Sequence, residues 1–369
     1  MNRATLELHR AGQSLWLDNI TRELLTSGTL QRYIEEFSIT GLTSNPTIFD
    51  QAMKRGGAYD ADLSRLVARN LPPEELFFEI AVQDLTQAAD LFRPVHARTA
   101  GLDGWVSLEV SPHLARDARA TLAQARQLHA RADRPNLFIK IPGTAEGLTA
   151  IEEAIFCGVP INVTLLFSPQ QYVAAADAWL RGIERRIAAG LNPDVASVAS
   201  LFLSRWDVAI AGRVPAALAN RLGLGIGRSA YREYRRLLGS ARWLRAMNAG
   251  ARPQRLLFAS TGTKDPTASD VLYVEGLVAP LTINTMPENT LKSFADHGRV
   301  GAPIEADGGD SEAVLAQFHA AGVDLDALAA QLQRDGAAAF VKSWDELLGG
   351  LGAKAAALGR SGPRTASAG

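Results

Sequence analysis

With 369 residues, 47% of them hydrophobic, the chain is long enough for one large α/β barrel or for about two smaller domains. Its 38 basic and 39 acidic residues leave a formal net charge of -1, which gives no electrostatic case for nucleic acid or an anionic membrane. No apolar stretch approaches the roughly 18 residues that span a bilayer, the N-terminus lacks a signal-peptide pattern, and Cys157 is the only cysteine, so a cytoplasmic protein without internal disulfides, and with no nucleic-acid or membrane partner, is expected.

Short β-like runs alternate with helical stretches. In chain order the runs are 14–20, 39–43, 104–110, 136–141, 160–167, 196–203, 255–260 and, with a weaker pattern, 277–284. They are apolar on both faces, as strands covered by helices are. Between them lie segments such as 112–130, where Leu114, Ala118, Leu122, Ala125 and Leu128 fall three or four apart. Eight strands alternating with helices predict a parallel sheet, and eight is the number that closes a barrel. The connections are uneven. Segment 46–103 is broken at Gly56-Gly57 and Pro72-Pro73 into three helices. Segment 207–252 holds at least two helices. Segment 324–348 reads as a helix with an internal Gly336, placed to pack across the barrel. The predicted fold class is α/β: a single (β/α)8 TIM barrel over residues 1–352, with extra helices after the second and sixth strands and a C-terminal helix. Residues 353–369, small and polar at the end, are expected to form a disordered tail.

The chemistry centres on Lys140, which lies between Ile139 and Ile141 on the fourth strand. Only 6 of the 38 basic residues are lysines, so a lysine in an apolar strand invites a question. Burying an ammonium is costly, and desolvation favours the neutral amine that attacks a ketone to form an imine. By itself such a residue is more often structural, reaching water or pairing with a carboxylate. Asp18 and Glu109 are carboxylates inside other apolar strands, and each needs a partner or a task. If they converge near Lys140 they can carry protons for Schiff-base chemistry; separately, each reads equally well as a cap or a structural ion pair. Asn162 and Thr164 are two apart and face one side of the fifth strand. Ser200 and Phe202 do the same on the sixth, with Arg205 beyond. The turn Ser260-Thr261-Gly262-Thr263-Lys264 after the seventh strand is small and hydroxyl-rich, with a cation, and suits a phosphate. The alternative is an ordinary turn with Thr263 or Asp265 as an N-cap. The six histidines show no metal-ligand spacing, and Gly223-Leu224-Gly225-Ile226-Gly227 follows a helix and not a strand, a poor match to a dinucleotide loop.

Segments 12–30 (GQSLWLDNITRELLTSGTL), 41–53 (GLTSNPTIFDQAM), 136–144 (NLFIKIPGT), 161–168 (INVTLLFS) and 256–266 (LLFASTGTKDP) resemble, in order, the transaldolase family, most closely its longer bacterial branch. The likeness runs from about residue 12 to about 348. It implies an eight-stranded barrel with no metal or organic cofactor. It implies that Lys140 forms an imine with the C2 carbonyl of a ketose phosphate and that Asp18 takes the C4 hydroxyl proton as the C3–C4 bond breaks. Glu109 and Thr164 match a pair that positions a water. Asn45, Asn162 and Ser200 match residues that hold hydroxyls of the three-carbon unit, and Arg205 and Ser260 match phosphate contacts. Lys264 stands where many shorter relatives carry an arginine; it keeps the charge and loses the bidentate fork. The expected partners are sugar phosphates, and the expected state is a monomer or homodimer. Two other readings compete: an aldolase of the same fold that releases dihydroxyacetone, and a non-catalytic sugar-phosphate-binding barrel. Phe202 favours transfer, because an apolar ring at that inward position offers water no hydrogen bond.

Overall fold

The computed structural model describes residues 1–44, 46–55 and 57–361. The strands are β1 (Gln13–Asp18), β2 (Ile39–Thr43), β3 (Trp105–Glu109), β4 (Leu137–Pro142), β5 (Ile161–Leu166), β6 (Ser197–Phe202), β7 (Gln254–Ala259) and β8 (Thr282–Met286). Each pairs in parallel with the next, and β8 closes on β1. The predicted (β/α)8 barrel is therefore observed. Strand residues are buried on both faces because the outward side chains meet helices while the inward ones fill the barrel.

Local signals set the helix starts. Asp117, Thr144 and Ser168 each accept a bond from the backbone N–H three residues on, opening the helices Ala118–Ala132, Ala145–Phe156 and Pro169–Ala188. The long connection after β2 holds three helices, Pro46–Arg55, Asp60–Val67 and Pro73–Arg98; the last begins at the predicted Pro72-Pro73 break, Gly57 precedes the second, and Gly56 lies outside the described residues. The connection after β6 holds Ser204–Ile210, Leu222–Leu238 and Ala241–Asn248.

The lower barrel is plugged. Trp16 fills it opposite Gly41, where an added Cβ would stand 2.4 Å from the indole. Below it the Arg255 guanidinium bonds Asp103 at 3.1 Å, Ser14 at 2.6 Å and the Thr282 carbonyl at 2.9 Å, all buried. The upper, C-terminal end is left for polar side chains.

Three boundaries differ from expectation. The eighth strand begins at Thr282, near the end of the predicted run 277–284. Leu277–Ala279 are buried but unpaired in the sheet, because Pro280 has no N–H to give and Leu281 takes φ 65°. The first strand ends at Asp18, two residues early. The last helix spans Leu325–Ser361, so residues 353–361, expected in a disordered tail, continue the helix; Ala- and Leu-rich sequence sustains it past Gly352. Residues 362–369 lie outside the described residues.

Candidate active site

The strand registers bring the charged residues together. Glu109 of β3 is level with Lys140 of β4, and Lys140 is level with Asn162 of β5. Asp18 of β1 is level with Thr43 of β2. Neighbours in register point to the same side, so these groups converge on the inner face at the C-terminal mouth, the end that barrels use for chemistry.

Lys140 is 5% exposed. Its Nζ lies 2.5 Å from Glu109 Oε1 and donates to the Ser44 carbonyl at 3.1 Å. Burial pushes the Glu109 carboxyl above its ordinary value; the Lys140 charge opposes this and the Asp18 charge adds to it. Asp18 and Glu109 thus sense one another across the site. A buried ion pair of this kind stabilises a fold little compared with an apolar pair of equal volume. Its presence inside an apolar strand layer argues for chemistry.

Thr43 orients Asp18: its hydroxyl donates to Asp18 Oδ1 at 2.9 Å and sits 2.8 Å from the Thr285 hydroxyl. Sequence reasoning passed over Thr43 as an orienting group; the signal was its place at the strand end level with Asp18. From Asp18 a cleft of about 410 Å³ opens to the surface, lined by Asn19, Arg22, Gln51, Tyr59 and Glu288 among others. Arg22 braces it, donating to Asp84 and Asp62 at 2.5 Å each, while the Tyr59 hydroxyl donates to Asp84 at 2.9 Å. The inserted helices after β2 are thereby tied to the end of β1.

On β5 the register with β6 shifts between Val163 and Leu166, and Leu165 adopts φ 58°. Backbone strain of this kind clusters at functional sites. Thr164, 3% exposed, shares a small cavity with Glu109 and Lys140, and its hydroxyl has no hydrogen-bond partner among the described residues. Ser200 donates to Asn162 Oδ1 at 2.7 Å, and Asn162 Nδ2 donates to Ser107 at 3.1 Å, which fixes the Asn162 amide. Phe202 is 8% exposed and lies under the Arg205 guanidinium, 5.1 Å from its ring centre.

Arg205 makes no ion pair or hydrogen bond among the described residues. Burial lowers it from its ordinary value, and Asp18 opposes that. A half-buried guanidinium without a protein partner suits an anionic ligand. The Ser260 hydroxyl lies 2.9 Å from that of Ser204, the residue before Arg205, so β7 meets β6 at this point. Ser260 takes φ 55°. In the turn beyond, Thr261 is spent on β8, donating to Asn284 and to the Thr285 carbonyl at 2.9 Å each. Asp265 accepts from the Thr267 N–H at 2.8 Å, capping a turn and not a helix. Lys264 is exposed and makes no hydrogen bond or ion pair with the other described site residues. Asn45 lies outside the described residues.

The helix Leu325–Ser361 crosses this mouth. Gln333, Ala337 and Phe340 reach the site from it, and strand patterns gave no sign of them; the internal Gly336 was the available signal. No described helix is long and apolar enough to cross a membrane.

Comparison with known proteins identifies the family. Residues 15–351 match the family described as Transaldolase/Fructose-6-phosphate aldolase. A protein of Thermobifida fusca named Transaldolase is 45% identical over 351 residues, covering 93% of this chain and 95% of that one. Proteins of the same name from a Parafrankia strain and from Thiobacillus denitrificans are 43% and 42% identical, covering 94% of this chain and 97% and 99% of their own.

Proposed function

The chain belongs to the transaldolase/fructose-6-phosphate aldolase family, and from that premise we propose that it is a transaldolase working through an imine on Lys140. The observation that carries the reading is the buried Lys140–Glu109 pair facing Asp18 on the inner wall of the barrel.

Lys140 Nζ adds to the C2 carbonyl of fructose 6-phosphate or sedoheptulose 7-phosphate, and the carbinolamine loses water. Glu109, holding a proton more readily than an ordinary carboxyl, supplies and recovers protons in that step, with Thr164 as the second contact of the mobile water. Asp18, held by Thr43, takes the C4 hydroxyl proton as C3–C4 breaks and an aldose phosphate leaves. The protonated imine holds the electron pair on the three-carbon unit until C3 adds to the aldehyde of glyceraldehyde 3-phosphate or erythrose 4-phosphate. Asn162 and Ser200, with Asn45, hold the hydroxyls of that unit. Arg205 and Ser260 take the phosphate, with Lys264 as an outer charge. No cofactor is called for, the substrates are those of the non-oxidative pentose phosphate pathway, and a cytoplasmic location is our expectation.

Borohydride reduction in the presence of fructose 6-phosphate tests the reading. A mass gain on Lys140 is expected, and none in Lys140→Arg, whose kcat should fall by at least about 10³-fold with the fold intact. A wild-type protein that gains no mass would leave only sugar-phosphate binding. Transfer and simple aldol cleavage separate by dihydroxyacetone release from fructose 6-phosphate alone. Phe202 leads us to expect slow release without an acceptor; rapid release would make the enzyme an aldolase.

A further inference from the structure

The last helix is attached to the barrel mouth by specific contacts. Gln333 Nε2 donates to the carbonyls of Gly143 and Leu165, 3.0 Å each, at the ends of β4 and β5. One turn on, a Cβ at Gly336 would stand 3.1 Å from Leu165 and 3.2 Å from Arg205. Ala337 and Phe340 then complete the cavity that holds Lys140, Glu109 and Thr164. It is partly open to the mouth, and its volume of about 20 Å³ admits about one water. One wall is polar: Glu109, Lys140 and the unpartnered Thr164 hydroxyl. The other is apolar, with Pro112, Leu165, Ala337 and Phe340. The Phe340 ring centre is 5.9 Å from Lys140 Nζ.

We propose that Phe340 is a specificity-determining residue that roofs a one-water chamber over Lys140 and so keeps the three-carbon intermediate bound until an acceptor arrives. The proposal rests on the Schiff-base reading above. After C3–C4 cleavage the bound unit has two exits. In transfer, C3 forms a bond to the acceptor aldehyde carbon, and the aldehyde oxygen takes a proton. In premature release, C3 takes a proton instead. Water oxygen then adds to C2, the C2–Nζ bond breaks, and dihydroxyacetone departs with both water hydrogens left on Nζ. The second exit needs protons and water exchanging with bulk. A chamber sized for one water, covered on one side by a ring that offers no hydrogen bond, slows that exchange. The ring also lies within reach of the positive charge that Nζ carries as an iminium.

The ratio of free dihydroxyacetone to transferred product, from fructose 6-phosphate with erythrose 4-phosphate, is the test. Phe340→Ala should raise that ratio by about tenfold or more while borohydride still traps sugar on Lys140. Phe340→Leu, which keeps an apolar roof, should stay within about threefold of wild type. An unchanged ratio in Phe340→Ala with trapping intact would overturn the proposal, as would a rise in Phe340→Leu equal to that in Phe340→Ala. Should Phe340→Ala fail to fold, Gln333→Leu removes the two bonds that seat the helix; a raised ratio supports the roof and an unchanged one sinks it. Absence of trapping in the wild-type protein would instead overturn the Schiff-base reading, and the roof with it.

Discussion

Arg205 shows how much one side chain can say about a ligand. Several arginines here are matched to carboxylates: Arg22 has two, Arg185 has Glu152 and Glu153, and Arg242 has Glu184 and Asp177. Arg205 is more enclosed than either of the last two and, among the described residues, has the face of Phe202 in place of a carboxylate. A guanidinium bound to phosphate contributes charge-assisted bonds of about 1.5–3 kcal/mol each. Arg205→Ala should therefore raise KM for phosphorylated donors by about 10- to 100-fold. Rates with unphosphorylated dihydroxyacetone as donor should change far less. Equal losses with both donors would detach Arg205 from the phosphate. Lys140, Asp18 and Glu109 were legible in the sequence because a charge inside an apolar strand is expensive and so conspicuous. Arg205 and Lys264 were not separable that way. Both follow strand ends, and only the packing shows that one is enclosed and the other exposed.

At the scale of elements, the strands were readable because helices cover one face and the barrel interior fills the other, leaving near-continuous apolar runs. The eighth strand was misplaced because Leu277–Ala279 are as buried as a strand yet lie beside Pro280. The roof was not readable. That 324–348 is helical follows from its pattern, but which residues it turns toward Lys140 depends on contacts between positions about 200 apart, such as Gln333 with Gly143. Gly336 is the one trace of that approach. Glycine in a helix interior costs about 1 kcal/mol against alanine, and here a methyl would press on Leu165 and Arg205. Gly336→Ala should gain helix propensity yet raise KM for phosphorylated substrates several-fold, about 3- to 10-fold, by displacing Arg205. An unchanged KM would mean that the helix yields without disturbing the guanidinium.

Over the whole molecule, the two ends of the barrel do different work. The Arg255–Asp103 pair at the lower end touches nothing in the site. Arg255→Leu leaves Asp103 buried without its partner, and unfolding free energy should fall by about 3–5 kcal/mol with KM unchanged. Denaturant melts and steady-state kinetics on the same preparation would check both halves. Acid should also weaken the fold. Burial lowers His129 and His96 below the ordinary 6.5. The stability they contribute is full above that value and is lost as pH falls through their lowered values, where the unfolded chain binds protons that the folded chain resists. Melting temperature should decline from pH 7.5 to 5, and His129→Gln should decline less. An identical decline in the variant would place the acid sensitivity elsewhere.

The helix that closes the site is also a matter of timing. It is synthesised after all eight strands, and it is joined to the far end of the sequence: Thr47 donates to Ser343 across 296 positions, and Lys354 to the Met53 carbonyl across 301. Domains fold as units, and Trp344, Leu347 and Leu351 of this helix are buried in the common core, Trp344 against Phe77 and Phe78 of the insertion after β2. The last segment made therefore completes the core around one of the first, and the covering of Lys140 is coupled to completion of the fold.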